Sequence, residues 1–304
     1  MGERVRLAFT IGYIGRHFHG SQIQPDVKTV QGELIRVFRK LKWLDPNETS
    51  HNLVLSSRTD AGVNVRRNGG TVKLARSLWE SLNKRKMVRA VDDQLCEGLV
   101  FLDVKEVADD WNPRIALHRI YRYRLEGIQG WSDPGEKFTQ WLELFVGTYD
   151  ARNFARLEEG KNPIRKIYSC KPWEVNGRIV GFEIVGEAFL WNQVRRTAMA
   201  LHRLAIGDLS EQEITDAIDK PETSVDFGVA PPEWLVLWDV IWPNFSHEDS
   251  TNSTFPFTKL PEFDYIERTM ISRWEKGASL EMESMLYHEW SKIGKLPYIP
   301  HDSK

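Results

Sequence analysis

The sequence lacks the means to build a disulfide framework. Its two cysteines, Cys96 and Cys170, stand far apart with no CxxC pair, so neither the staples of a small secreted domain nor a zinc-ribbon spacing is available, and a reducing, cytoplasmic setting is expected. No apolar run approaches the roughly 20 residues of a membrane-spanning helix. The opening, MGERVRLAFTIGY, lacks the apolar stretch of a signal peptide. Neither GxxxxGK[ST] nor GxGxxG occurs, so there is no nucleotide-cofactor fingerprint. The eight histidines are scattered; His17 and His19 are close, but they sit in a Gly-rich turn with no third ligand nearby, and no metal is expected. Excess charge is missing too: 41 Lys and Arg against 43 Asp and Glu leave a net charge of -2. A nucleic-acid binder with that balance has to gather its cations on one face.

What is present is an ordinary globular chain. At 304 residues and 41% hydrophobic, it has enough apolar mass for about two domains. Val5, Leu7, Phe9 and Ile11 alternate with Arg4, Arg6, Ala8 and Thr10, the pattern of a half-buried strand. Gly12, Gly15, Gly20 and Pro25 mark a long loop. Thr29 then caps an amphipathic helix through Val30, Leu34, Val37, Phe38 and Leu41. A strand is expected at about 51–57, a polar loop after it, and another strand at 70–75. Helical patterns follow at 77–84 and 87–96, and "LVFLDV" at 99–104 reads as a buried strand. Beyond Trp111 a second series begins: a strand at 118–125, a helix at 136–147 closed by Gly147, and two strands at 166–175 and 178–186 joined through Asn176-Gly177, a hairpin signal. A helix at 189–204, another capped by Ser210 and Glu213, and a strand at 234–242 complete it. This order predicts an α+β fold of two split-βαβ, ferredoxin-like subdomains, over 1–107 and 108–243. The Pro-, Ser- and Asn-rich 243–263 reads as a linker. The stripe Met282, Leu286, Trp290 and Ile293 makes 244–304 a linker with a helical extension that docks on an apolar surface.

Three stretches carry groups capable of chemistry. In "LVLSSRTDAGVNV" (53–65) a buried strand opens onto Arg58, Thr59, Asp60, Ala61 and Gly62. Turn chemistry accounts for Asp and Gly there. The alternative is an ionised carboxylate favoured by its arginine and aimed by the strand, a candidate nucleophile. In "HRIYRYRL" (118–125), Arg119, Tyr121 and Tyr123 share one face and His118, Ile120, Arg122 and Arg124 the other. Cations interleaved with aromatics suit phosphates and a stacked base, while a solvated amphipathic strand would look the same. In "FLWNQVRRTAMALHRL" (189–204), Arg195 and Arg196 lie early in a helix, either as a solvated basic face or as contacts to phosphate and to the gap left by an extruded base.

Five motifs, in order, resemble those of the tRNA pseudouridine synthase A family. "GSQIQPDVKTVQGEL" (20–34) resembles its G-W-Q-x-Q…T-V-Q-G-E-L opening, and "RTDAGVN" its R-T-D-A/R-G-V-H loop. "HRIYRYRL" resembles its R-x-Y-x-Y strand, "AFLWNQVRRTAMAL" its A-F-L-x-x-M-V-R helix, and "GVAPPEWLVLWDV" its late A-P…G-L-x-L strand. The match spans about 1–243. Ser21, Asn64, Gln193 and Trp234 replace the family's Trp, His, Met and Gly. The resemblance implies two ferredoxin-like subdomains sharing an extended antiparallel sheet with a basic cleft. It implies a cofactor-free homodimer that isomerises uridine to pseudouridine in the tRNA anticodon stem-loop, at tRNA positions 38–40. It makes Asp60 the nucleophile, Tyr121 the stacking and proton-transfer group, and Arg58 and Arg195 the cationic partners. Arg119, Gln22, Gln24 and Arg196 become substrate contacts. Three other readings stand beside it: a synthase acting at other tRNA positions or on other RNAs, a non-catalytic RNA-binding protein that gives Asp60 no task, and a glycoside-type hydrolase that needs a second carboxylate.

Overall fold

The computed structural model describes residues 3–45, 52–243, 257–258 and 268–293. Its contacts divide the chain into two compact units, Met1–Ile115 with Met282–Lys304, and Ala116–Glu281. Both are α+β.

The first unit runs β1 (Arg4–Tyr13), α1 (Val30–Lys40), β2 (Leu53–Leu55), β3 (Asn64–Ala75), α2 (Arg76–Ser81), α3 (Lys84–Asp92) and β4 (Leu99–Glu106). Its strands lie in the order β4-β1-β3-β2, all antiparallel, which is the split-βαβ arrangement. The Thr29 hydroxyl accepts from Gly32 N and caps α1, as its sequence predicts. Val30, Leu34, Val37 and Phe38 are buried, and the Phe38 ring meets Phe101 edge-on while Phe101 stacks on Phe9. The expectation that β1 is half-buried fails. Residues 7–13 are buried without interruption, Ala8 and Thr10 included, so both faces of the strand are covered. β3 begins six residues earlier than its apolar pattern indicates, because Arg66, Arg67 and Asn68 are buried polar residues that break the alternation. The two helices expected at 77–84 and 87–96 lie a few residues earlier: the first ends at Ser81, and Asn83 caps the second by accepting from Lys86 N.

The second unit runs β5 (His118–Arg124), α4 (Lys137–Glu143), β6 (Gly147–Asp150), β7 (Ile164–Val175), β8 (Arg178–Gly186), α5 (Gln193–Ala205), α6 (Glu211–Asp219) and β9 (Leu235–Ile241). Strand order is β9-β5-β8-β7-β6, antiparallel throughout, the same split-βαβ core with one strand added at the β7 edge. The added strand corrects the expected helix over 136–147: Gly147 does not close a helix but opens β6, in a backbone conformation (φ +125°) that favours glycine. Asn176 and Gly177, at φ +53° and +74°, form the hairpin turn. The Ser210–Glu213 capping box is present in full. α5 starts at Gln193 rather than 189, because Asn192 is left-handed (φ +62°) and holds 189–192 out of the helix.

A last helix, α7 (Arg268–Ile293), lies within the expected extension. The linker reading of 243–263 falls largely outside the described residues. The early turns of α7 belong to the second unit, where Ala278 is buried and Trp274 stacks with Trp234. Its later turns belong to the first, where Met282, Met285, Leu286 and Trp290 are buried and the Trp290 indole donates to the Arg66 carbonyl. Among the described residues no helix is long and apolar enough to cross a membrane.

Candidate active site

Asp60 lies on the short connection between β2 and β3, and that connection is fixed residue by residue. Ser56 N donates to Gly69 O at 2.7 Å, and the Ser56 hydroxyl donates to Pro113 O at 2.6 Å. The Asn68 side chain reads both backbone groups of Ser57, accepting from its N–H at 3.2 Å and donating to its carbonyl at 2.9 Å. Ser21 does the same for Thr59: its hydroxyl accepts from Thr59 N at 2.8 Å and its own N–H donates to Thr59 O at 3.1 Å. The Thr59 hydroxyl shares a 2.7 Å hydrogen bond with Tyr13. Val63 N then closes the turn onto Asp60 O at 3.3 Å.

The segment that supplies Tyr13 and Ser21 presses on the far side of the turn as well. Asn64 Oδ1 accepts from Gly15 N at 2.9 Å inside the core. A Cβ at residue 15 would overlap the Gly62 carbonyl, so only glycine allows this approach. Asp60 emerges half-buried from a backbone with little freedom to move, and Arg58 is exposed two residues before it. That suits a carboxylate asked to meet one atom of a substrate in one geometry. Of the other residues singled out in this unit, Gln22 and Gln24 are exposed on the segment after Ser21, and Gln24 Nε2 donates to His19 O at 2.8 Å.

The second unit holds the remaining candidates. Tyr121 is central on β5, paired with Ile184 and Leu237, and its ring meets Phe189 edge-on at 5.1 Å. It is 7% exposed. Arg119, two residues earlier, donates through Nη1 to Glu187 O at 2.7 Å. Burial works against its charge, and the Tyr121 hydroxyl and the Glu187 carboxylate lie close enough to favour it. Arg195, on the first turn of α5, donates through Nε to Ala230 O at 2.7 Å and through Nη1 to Asn192 Oδ1 at 3.1 Å. Arg196 turns to the exposed Asp226, at 2.6 Å. The Gly228 N–H and Arg196 hold the Asp226 carboxyl below its ordinary range. Asp60, Arg58, Gln22 and Gln24 thus fall in the first unit, and Tyr121, Arg119, Arg195 and Arg196 in the second.

Two cations of the same strand have other work. Arg122 lies 3.7 Å over the Trp238 ring and pairs with Glu183 at 2.8 Å. Arg124 is fully buried, pairs with Glu126 and Glu281, and lies 4.1 Å over Phe257. The phosphate-binding reading of that face of "HRIYRYRL" gives way to core ion pairs. The residues that brace the Asp60 turn were not foreseen from the sequence. Ser21 and Asn64 carried a signal only as places where the chain departs from a known motif, and Tyr13 and Asn68 carried none.

Comparison with known proteins places the chain in a family. The family model described as tRNA pseudouridine synthase matches residues 142–243. The chain is similar to the tRNA pseudouridine synthase A of Thermococcus sibiricus, 36% identical over 80% of this chain and 87% of the relative. It is similar to that of Pyrococcus furiosus, 33% identical over 94% and 97%, and to that of Methanosphaera stadtmanae, 30% identical over 92% and 98%.

Proposed function

The chain belongs to the tRNA pseudouridine synthase A family, and from that membership we propose that it isomerises uridine in the anticodon arm of tRNA with Asp60 as nucleophile. The reaction breaks the bond from C1′ of the ribose to N1 of uracil and makes one from C1′ to C5. The proton on C5 is released and N1 ends protonated, so atoms and electrons balance without a redox partner. A carboxylate is needed to hold the separated fragments covalently, by attack on the sugar or on the base. The target base must also leave the helix stack.

The single observation that supports this reading best is the bracing of the Arg58–Thr59–Asp60 turn by Ser21, Tyr13 and Asn64. A turn that served only to connect two strands would not need both backbone groups of Thr59 fixed by one residue, Ser21. In this reading Tyr121 stacks on the target uracil and its hydroxyl handles the proton at C5. Arg58 and Arg195 serve the carboxylate and the phosphates. Arg119, Gln22, Gln24 and Arg196 contact the RNA around them. The free thiols of Cys96 and Cys170 fit a reducing compartment. A homodimer belongs to the same proposal and is checked by sedimentation.

The test is incubation of uridine-containing tRNA transcript with wild type and Asp60→Ala, followed by position-by-position mapping of pseudouridine. Pseudouridine clustered in the anticodon arm is expected from wild type. At least a roughly thousandfold loss is expected for the variant, with tRNA binding retained. Binding by both proteins without pseudouridine from either would sink the proposal.

A further inference from the structure

Trp191 is a large aromatic side chain held outside the core. It is 41% exposed, while its neighbour Leu190 is buried and Phe189 packs on the Tyr121 ring. The backbone that carries it is pinned at three places. Arg156 N donates to Trp191 O at 2.8 Å in an isolated antiparallel bridge. Leu190 N donates to Gln193 Oε1 at 2.9 Å. Asn192 adopts φ +62°, a conformation that costs an ordinary residue energy and that, after glycine, Asn tolerates best. The Arg156 guanidinium, itself exposed, lies 4.3 Å over the indole.

Two cations are held on the adjoining backbone: Arg119 donates through Nη1 to Glu187 O at 2.7 Å, and Arg195 through Nη1 to Asn192 Oδ1 at 3.1 Å. Glu187 is the only acid in residues 187–192. A pre-set aromatic plane carrying a guanidinium, with two further arginines held on flanking residues and two residues from the group that packs on Tyr121, has the chemistry of a base-stacking site on single-stranded nucleic acid.

We propose that Trp191 and Arg156 form a second contact site for the tRNA, Trp191 stacking on an unpaired base next to the target uridine and Arg156 meeting its phosphate. This rests on the tRNA-modifying function above.

The test is equilibrium binding of the full chain to uridine-containing tRNA transcript across a salt series. Trp191→Leu keeps apolar bulk but removes the plane, so its Kd should rise about tenfold with the salt dependence unchanged. Trp191→Phe keeps a plane and should stay within about threefold of wild type. Arg156→Gln should make the slope of log K against log salt shallower by about one. A Kd for Trp191→Leu within about twofold of wild type, with pseudouridine still made, overturns the contact site and leaves the function standing. Absence of tRNA affinity in the wild type overturns both.

Discussion

Each unit buries an arginine and answers it with a carboxylate from α7, but the two pairs are built differently. In the first unit Arg66 of β3 meets Glu289 at 2.8 Å with side chains 3% and 1% exposed, and the next residue, Trp290, donates to the Arg66 carbonyl. In the second, Arg124 of β5 meets Glu281 at 3.0 Å, but it also has Glu126 at 3.2 Å, the Ala278 carbonyl, and the Phe257 ring below it, and Glu281 is 19% exposed. One is a pair sealed from solvent, in which Glu289 also meets Lys292 at 3.1 Å, and the other is a shared, partly wet network. Loss of one charge of a sealed pair leaves its partner in a low-dielectric interior. A network spreads that loss.

The largest effect should therefore come from Glu289→Ala, which takes the buried carboxylate away from Arg66 and should cost about 3–5 kcal/mol in denaturant unfolding. The same cut in the second unit, Glu281→Ala, should cost about 1–2 kcal/mol, since Arg124 keeps Glu126. Equal losses in the two variants would erase the distinction. Replacing the sealed pair outright, Arg66→Met with Glu289→Leu, should return stability to within about 1 kcal/mol of wild type, because two charges then no longer need to be desolvated. A double variant as unstable as Glu289→Ala would mean that the pair itself, rather than the stranded charge, carries the energy.

The smallest effect is a matter of sign. Glu33 of the first unit is held below its ordinary value of 4.5, first by its hydrogen bonds to Arg36, so it adds stability above about that pH and loses it as pH falls through the folded value. Glu126 of the second unit is raised above 4.5 because burial outweighs Arg124 and Arg178. Its contribution is greatest when both states are protonated, and it declines as pH climbs from 4.5 towards the folded value. In pH-dependent unfolding, Glu33→Gln should flatten the acid limb and Glu126→Gln should steepen it. Changes of the same sign would contradict the opposition.

The arginine pairs also show how far the sequence could be read. Helices and strands with clean apolar periods were legible: α1 with its Thr29 cap, the Asn176-Gly177 hairpin, and the Ser210–Glu213 box all stand where their side-chain chemistry puts them. The start of β3 was hidden because its interior is polar, and its polar groups are satisfied by residues such as Glu289, 223 positions away. Local pattern cannot report a partner at that separation. For the same reason Arg122 and Arg124 look like ligands for phosphate in sequence and prove to be ligands for carboxylates in the fold. Asp60 stood out through its neighbours in the chain. The bracing that makes its position definite comes from Tyr13 and Ser21, some 40 residues earlier, and no periodicity announces them.

That bracing has a consequence for how such a protein can change. Gly15 lies against the Gly62 carbonyl too closely for any side chain, and Ser21 and Asn64 each reach across to the opposite segment. Residues 12–21 and 56–64 are therefore one inherited part in two pieces. A chimera that took the Asp60 turn alone from a relative with Trp and His at positions 21 and 64 would join halves cut to different keys, whereas one that took both pieces would bring its own fit.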